Sequence, residues 1–386
     1  MNNLFLNRNL RFELERLSSL YPVIVLTGPR QSGKTTLCKR VFKNYHYIDI
    51  DDIAVREQIM TSPKSFLKQY ATGIIIDEVQ QYPELFSYIK VVVGEIPDAR
   101  FVLTGSNNFT LMEKVTESLA GRAATLTLLP LSLQELGDTS QIDTDELLLK
   151  GGYPAVWAKG IPVQDVSRHY YNTYIERDVR QLLNVNDIIK FQTFIRLCSG
   201  RVGTELNASA LSNEVGVSVV TIQEWISVLE ASYILFRLPP FYRNIGKRLI
   251  KAPKLYFYDT GLACFLLGIE NKNQLATHPL RGAVFENLVI LEFLKNRLNQ
   301  GKLPNLLYYR DKSQNEVDIL QEQGNQIHAF EIKSAKSFHK DFLSNLNYLK
   351  KILGEDLRST QLIYDGETEI QSKENGMMNF RNIKFE

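Results

Sequence analysis

Eight residues near the N-terminus have the types and spacing of a phosphate cradle: Gly28-Pro29-Arg30-Gln31-Ser32-Gly33-Lys34-Thr35. They fit G-x-x-x-x-G-K-[ST] at every fixed position. Glycine at 28 and 33 lets backbone N–H groups wrap closely around phosphate oxygens. A helix opening at the end of the loop adds the positive end of its dipole. The Lys34 ammonium is suited to the β and γ phosphates and the Thr35 hydroxyl to Mg²⁺. The expected nucleotide-binding set is therefore Gly28, Pro29, Arg30, Gln31, Ser32, Gly33, Lys34, Thr35 and Thr36, with ATP and Mg²⁺ as the ligands.

Downstream by 43 residues (Lys34 to Asp77), the apolar run Ile74-Ile75-Ile76 delivers Asp77 and Glu78. Open α/β sheets bind ligands at the carboxyl ends of their strands, where these two acids are expected. Asp77 is suited to hold the metal and Glu78 to act as general base on the attacking water. A third buried run, Phe101 to Thr104, leads into Gly105-Ser106-Asn107. There Asn107 or Ser106 is placed to orient the water, provided this strand lies beside the Asp77 strand. Arg122, in Leu119-Ala120-Gly121-Arg122, is a candidate arginine finger or in-place sensor, because an arginine there neutralises charge developing during transfer. A surface ion pair is the alternative for that residue.

A second constellation lies near the C-terminus. Glu316-Val317-Asp318 opens one strand, and Glu331-Ile332-Lys333 ends another, 13 residues after Asp318. Strand alternation puts Glu331 and Lys333 on one face. Glu286 precedes them on a helix. The spacing resembles the PD-(D/E)xK nuclease fold. That resemblance implies two acids on Mg²⁺ and a lysine on the nucleophilic water, drawn here from Glu286, Asp318, Glu331 and Lys333. Such folds also persist as binding modules, so a catalytically silent domain is the second reading. Unpaired carboxylates brought together repel, so Asp318 and Glu331 must either hold a divalent metal or pair with lysine.

The elements that must carry these residues follow from periodicity. Short apolar runs at Pro22–Thr27, Tyr47–Ile50, Gly73–Ile76, Arg100–Thr104 and Thr125–Leu129, with a helix at Ser32–Phe42, predict a parallel sheet covered on both faces. The polar stretch 137–145 closes this unit. From about 146 to 275 the chain reads mostly helical. Ala208–Val215 and Val219–Leu229, separated by Gly216-Val217-Ser218, have helix-turn-helix spacing. Strands at Tyr233–Leu238 and Lys254–Tyr258 complete a winged helix. Between them Tyr242 to Lys251 carries Arg243, Lys247, Arg248 and Lys251 on an expected exposed tip, a composition suited to phosphate contact and stacking. Winged helices also bind proteins, so DNA and a protein partner both stand. A separate α/β domain follows at 276–386. Its helix is expected at Arg281–Asn299, with strands at Leu306–Arg310, Glu316–Gln321 and Gln326–Ile332. A helix at Phe338–Leu353, a strand at Gln361–Tyr364 and another from Phe380 complete it.

The wording G-P-R-Q-S-G-K-T-T, I-I-D-E, L-T-G-S and L-A-G-R resembles an AAA+ ATPase of a prokaryotic branch fused to a C-terminal domain of unknown function. The likeness continues at Gly151-Gly152-Tyr153-Pro154, Tyr174 to Val179, Trp225 to Glu230 and Tyr258-Asp259-Thr260-Gly261-Leu262. It implies ATP use and a homo-oligomer in which Arg122 serves a neighbouring subunit's nucleotide. Three domains are expected: a P-loop AAA+ domain at 1–145, a helical winged-helix domain at 146–275 and a PD-(D/E)xK-like domain at 276–386. The leading expectation is an ATPase that moves its other domains, with a nucleotide-dependent protein-binding switch of little turnover as the alternative.

Composition bounds the partners. Across 386 residues, 45 Lys and Arg offset 43 Asp and Glu to a net charge of +2, so a nucleic-acid surface has to be local. The three cysteines, Cys38, Cys198 and Cys264, have no metal-ligand spacing, which fits a reducing cytoplasmic setting. No run is long and apolar enough to span a bilayer, so no membrane partner is expected.

Overall fold

The computed structural model describes residues 6–106, 115, 117–173, 187–242 and 252–385. The chain forms two compact units. The first holds Met1–Leu131 with Ala231–Tyr233 and Arg297–Leu303; the second holds Ser132–Glu230, Ile234–Asn296 and Pro304–Glu386. Both later segments distinguished in the sequence contribute to the second unit.

In the first unit, helix α1 (Arg11–Leu20) leads into strand β1 (Val23–Thr27) and helix α2 (Lys34–Val41). Strand β2 (His46–Asp49) follows, then helices α3 (Ile53–Thr61) and α4 (Pro63–Gln69). Strand β3 (Ile74–Asp77), helix α5 (Leu85–Glu95) and strands β4 (Phe101–Thr104) and β5 (Ala123–Thr127) complete it. The five strands are parallel, in the order β2-β3-β4-β1-β5. Strand alternation divides the core in two. Val23, Val25, Ile74, Ile76, Phe101 and Leu103 pack with Leu85, Phe86, Ile89 and Val92 of α5 on one face. On the other face Ile24, Leu26, Ile75, Val102 and Leu126 pack with Leu14 of α1 and with Leu37 and Cys38 of α2. Burial on both faces is why these strands read as continuous apolar runs and not as alternating ones. The order sets β4 between β1 and β3, so the β1, β3 and β4 strands end side by side.

The second unit contains helices α6 (Ile188–Ser199), α7 (Ala208–Val215) and α8 (Val219–Ala231) and the antiparallel pair β6 (Leu235–Leu238) and β7 (Lys254–Phe257). Asn207 caps α7 through the N–H of Ala210, and Gly216 ends it in a left-handed conformation. Helix α9 (Arg281–Asn299) precedes strands β8 (Leu306–Arg310), β9 (Glu316–Gln323) and β10 (Gln326–Lys333). Helix α10 (Ser344–Leu353) and strands β11 (Leu357–Tyr364) and β12 (Gly376–Asn379) follow. The sheet runs β12-β11-β10-β9-β8, antiparallel through β8, β9 and β10 and parallel through β10, β11 and β12.

Several boundaries shift from the sequence reading, the strand expected at Gln361–Tyr364 starting already at Leu357, and two differences change the type of element. The helix expected at Phe338–Leu353 is split: Lys340–Leu343 is a 3₁₀ turn and the α-helix begins at Ser344. The last strand ends at Asn379, and Phe380 sits buried in a 3₁₀ turn against the ring of Phe285 instead of starting a strand. Asn107, the segment Tyr174 to Val179 and the basic stretch 243–251 lie outside the described residues.

Candidate functional site

The nucleotide loop runs from the end of β1 to the start of α2. Gly28 has φ +138°, and a Cβ there would stand 2.2 Å from the carbonyl oxygen of Leu128. The glycine is therefore required by the chain behind the loop as well as by a ligand in front of it. Gly33 (φ 96°) and Gln31 (φ 62°) also take left-handed conformations. Lys34 is buried, and its Nζ donates to the carbonyls of Gly28 and Pro29, 2.9 Å each. Burial pulls its ammonium down to about 8, against the opposing pull of Glu78 and Asp77.

The residues expected to serve the metal meet. Thr35 Oγ1 donates to Asp77 Oδ2 at 2.6 Å. Two further hydroxyls converge on the same carboxylate: Tyr47 donates to Oδ2 at 3.0 Å, and Thr104 donates to Oδ1. Asp77 is only 5% exposed, so its charge is held in the interior by neutral hydroxyl donors. A hydroxyl, a carboxylate and two flanking oxygens form a hard-oxygen donor set that fits Mg²⁺.

Glu78 follows in the left-handed region (φ 51°, ψ 42°), a conformation that costs a non-glycine residue about 1–2 kcal/mol. Its Oε2 accepts from Gln80 Nε2 and from Ser106 Oγ at 3.4 Å. Arg30 Nε donates to Ser106 Oγ, also at 3.4 Å, so the loop, the acid strand and the sensor strand are joined through one hydroxyl. Ser106 thus lies where the sequence placed it. Arg122 is exposed at the entry to β5, its backbone N–H bonded to Leu119.

Sequence reading missed four residues here. Tyr47 and Thr104 reach Asp77 from strands whose pairing no local motif reveals. Arg8 is 7% exposed and clamps the loop, donating to the carbonyls of Ser32 (2.6 Å) and Leu129 (2.5 Å). Tyr233, grouped with the first unit, donates its phenol to Thr27 Oγ1 at 2.8 Å, one residue before the loop. Arg8 sits in the polar run Asn7-Arg8-Asn9, which gives no local signal of that role.

A family described as an AAA domain matches residues 20–137, and domains of unknown function match 141–273 (DUF8612) and 281–383 (DUF4143). An uncharacterised protein of Mycobacterium tuberculosis is 31% identical over 376 residues, covering 93% of this chain and 80% of that protein. The chain belongs to this family of AAA-domain proteins. An uncharacterised protein of Haemophilus influenzae is 24% identical over 371 residues, covering 85% of this chain and 88% of its own. Among solved structures, a Walker-type ATPase of Pyrococcus abyssi aligns with 68% of this chain and 96% of its own, at 15% identity and a TM-score of 0.42. AAA domains of this kind bind nucleotide and usually Mg²⁺. Among the described residues of this AAA-domain protein, no helix is long and apolar enough to cross a membrane.

Two motifs that carried the sequence resemblance turn out to hold each other. The buried Asp259 carboxylate accepts from the backbone N–H groups of Gly152 (2.6 Å) and Leu262 (2.8 Å). A Cβ on Gly151 would meet that carboxylate at 2.4 Å. Burial raises Asp259, and these N–H donors oppose the rise. The pair is structural.

The C-terminal constellation also converges. Phe330 pairs with Ile319 across β10 and β9, which brings the neighbouring residues Glu331 and Asp318 to the same end of the ladder. Asp318 Oδ2 accepts from Ile332 N at 2.7 Å, and Lys333 Nζ donates to Glu331 Oε1 at 2.6 Å. Burial raises Asp318, Glu286 and Glu331, and the charge of Asp318 pushes the latter two further. Two residues that the sequence did not flag join them. Lys254 Nζ lies 3.2 Å from Glu286 Oε1 and 2.5 Å from Glu316 Oε1, and the Tyr256 phenol donates to Glu286. Among the described residues, however, no three Asp, Glu, His or Cys side chains are grouped to hold a metal ion. The metal set expected from Glu286, Asp318 and Glu331 is therefore not assembled by their side chains as placed: ammonium groups take up Glu286 and Glu331, and a backbone N–H takes up Asp318. Lys254 opens a strand whose four residues are all buried, and a buried lysine needs acids across from it; that burial is not visible in the sequence.

Proposed function

We propose that this AAA-domain protein hydrolyses ATP and uses the cycle to act on a protein partner through its second unit. The observation that carries the first half is the meeting of Thr35, Asp77, Thr104, Ser106 and Glu78 at the ends of adjacent parallel strands. Lys34 exchanges the Gly28 and Pro29 carbonyls for phosphate oxygens, and loop N–H groups line the rest of the anion. Mg²⁺ held by Thr35 and Asp77 would neutralise charge on the β and γ phosphates. Gln80 and Ser106 fix Oε2 of Glu78, and we assign Oε1 to the proton of the attacking water.

Coupling is supported by Tyr233, which bonds Thr27 and follows α8 directly in the chain. We read α7, α8 and the β6–β7 pair as a winged helix. Helix α8, Val219-Val-Thr-Ile-Gln-Glu-Trp-Ile-Ser-Val-Leu-Glu-Ala231, contains no lysine or arginine, and it exposes Val219, Val220 and Glu224. A phosphate-facing helix needs cations, so this face favours a protein over DNA. The C-terminal sheet is read as a nuclease-like fold without turnover, because its acids are already paired with lysines.

Phosphate release and thermal shift with Mg-ATP test the reading. Lys34→Ala is expected to lose the ATP-induced stabilisation; Glu78→Gln is expected to keep it and lose turnover by about 10²–10⁴-fold. Full turnover by Glu78→Gln would sink the assignment, and stimulation by DNA but by no protein would reverse the partner. The same assay places Arg122, exposed and proposed to act on a neighbouring copy. Mixing Arg122→Ala with Lys34→Ala protein is expected to recover hydrolysis at one mixed interface. No recovery in an assembled mixture returns Arg122 to a local role.

A further inference from the structure

We propose that Lys254 occupies the cation position of the C-terminal carboxylate cluster, so that this ammonium and a divalent ion compete for the same acids. The inference rests on the reading of that domain as a nuclease-like fold without turnover, and it names what keeps the site silent.

Lys254 opens β7, and strand alternation puts it on one face with Tyr256 while Leu255 and Phe257 face the other way. Both residues of the first pair end on Glu286 Oε1. Lys254 is 2% exposed, and a buried ammonium persists only where acids answer it. Glu286 and Glu316 do so at 3.2 and 2.5 Å, and the Tyr308 ring lies 5.4 Å from Nζ on another side. Burial alone would pull this ammonium down; Glu286, Asp318 and Glu316 together outweigh it and leave it raised.

Among the described residues, cations already answer most of the charge of these acids. Glu286, Glu316, Asp318 and Glu331 face Lys254, Lys333 and Arg310, whose Nε is 3.5 Å from Glu316. A divalent ion added to that set would turn a nearly neutral buried cluster positive. Yet the cluster retains an oxygen suited to one: Glu331 is 2% exposed, and its Oε2 is buried with no hydrogen-bond partner. Lys333 and Asn345 both take Oε1. That unanswered oxygen is what a cation would use once Lys254 is removed. The strand Lys254–Phe257 is thus the gate of the site.

The test uses the full chain carrying Asp77→Asn, free of nucleotide, so that the P-loop acids do not contribute. Mn²⁺ binding is read from the loss of the free-ion paramagnetic resonance signal. The parent and Lys254→Arg should bind weakly. Lys254→Met, and Lys254→Gln if the methionine variant fails to fold, should bind one Mn²⁺ at least about tenfold tighter, which is about 1.4 kcal/mol. Adding Asp318→Asn should abolish the gain. Equal affinity in the parent and in the folded neutral variant at 254 overturns the proposal. If that equality is weak binding throughout, the silent-domain reading survives alone. If the parent binds tightly and cleaves nucleic acid with Mn²⁺, both fall. Tight binding by Lys254→Arg also overturns it, because an arginine there keeps the charge.

Discussion

Two acid sites in this molecule use similar residue types and reach opposite states. At the first, Asp77 is surrounded by hydroxyls from Thr35, Tyr47 and Thr104. At the second, Glu286, Glu316 and Glu331 are met by the ammonium groups of Lys254 and Lys333. A hydroxyl stabilises a carboxylate but leaves its full negative charge in place for a cation. An ammonium consumes that charge. In the first site the lysine is turned away from the acids, with Lys34 on the loop carbonyls, and this keeps the proposed metal position electrostatically open. What decides whether buried acids await a metal is therefore the charge of their donors and not the number of acids.

The sharpest way to break this contrast is to neutralise one acid at each site. Mg-ATP about 100-fold above its dissociation constant should stabilise the wild type by about 2.7 kcal/mol. Asp77→Asn should lose most of that stabilisation, measured as the melting shift on adding Mg-ATP. Asp318→Asn should leave the shift and the rate of phosphate release as they are. A loss of shift in Asp318→Asn would mean that the two sites are not independent, and the contrast would fail.

The contrast also shows what the sequence could reveal. Gly28 to Thr35 and Ile74 to Glu78 were legible because each is contiguous: one loop and one strand end carry the whole signal. Glu331 and Lys333 were legible by strand alternation alone. Arg8, Tyr47, Thr104 and Lys254 were not, because each acts across a pairing of strands or a chain return that no local pattern encodes. Tyr47 reaches Asp77 only because β2 lies beside β3 in register, Asp49 against Asp77. Lys254 reaches Glu286 from a strand that otherwise reads as plain hairpin. The split of the Phe338–Leu353 helix was hidden for a different reason. Phe338, ahead of the 3₁₀ turn, meets Phe342 within it edge to face, and that apolar spacing reads as helix from sequence.

A smaller effect sharpens the first half of the comparison. Thr104→Val keeps shape and removes one hydroxyl from a buried carboxylate. The nucleotide-free protein should lose about 1–3 kcal/mol in denaturant unfolding, because Asp77 keeps its charge with one donor fewer. Mg-ATP should stabilise the variant at least as much as the wild type, since the metal answers the same charge. Unchanged stability without nucleotide would show that Thr104 is not holding the carboxylate.

The last test concerns the lysine that the first site turns away. Burial holds Lys34 at about 8, below the 10.5 of an unfolded chain. Between those values the folded, nucleotide-free protein binds fewer protons than the unfolded chain, so this group makes stability rise with pH across that window and adds no slope below it. Phosphate oxygens favour the ammonium, so bound ATP keeps Lys34 protonated to higher pH. ATP binding then takes up a proton above pH 8, and affinity should fall by up to about tenfold per pH unit from there. Below pH 8 this residue contributes no slope. Isothermal titration in buffers of differing ionisation enthalpy measures the proton taken up, and Lys34→Met should abolish the rise of nucleotide-free stability above pH 8. If ATP affinity is flat from pH 7.5 to 9.5, or if Lys34→Met keeps the same rise, then Lys34 is already protonated on the loop carbonyls throughout that range. The ammonium would then be exchanged between carbonyls and phosphates without changing its charge, and the open metal position would owe nothing to its titration.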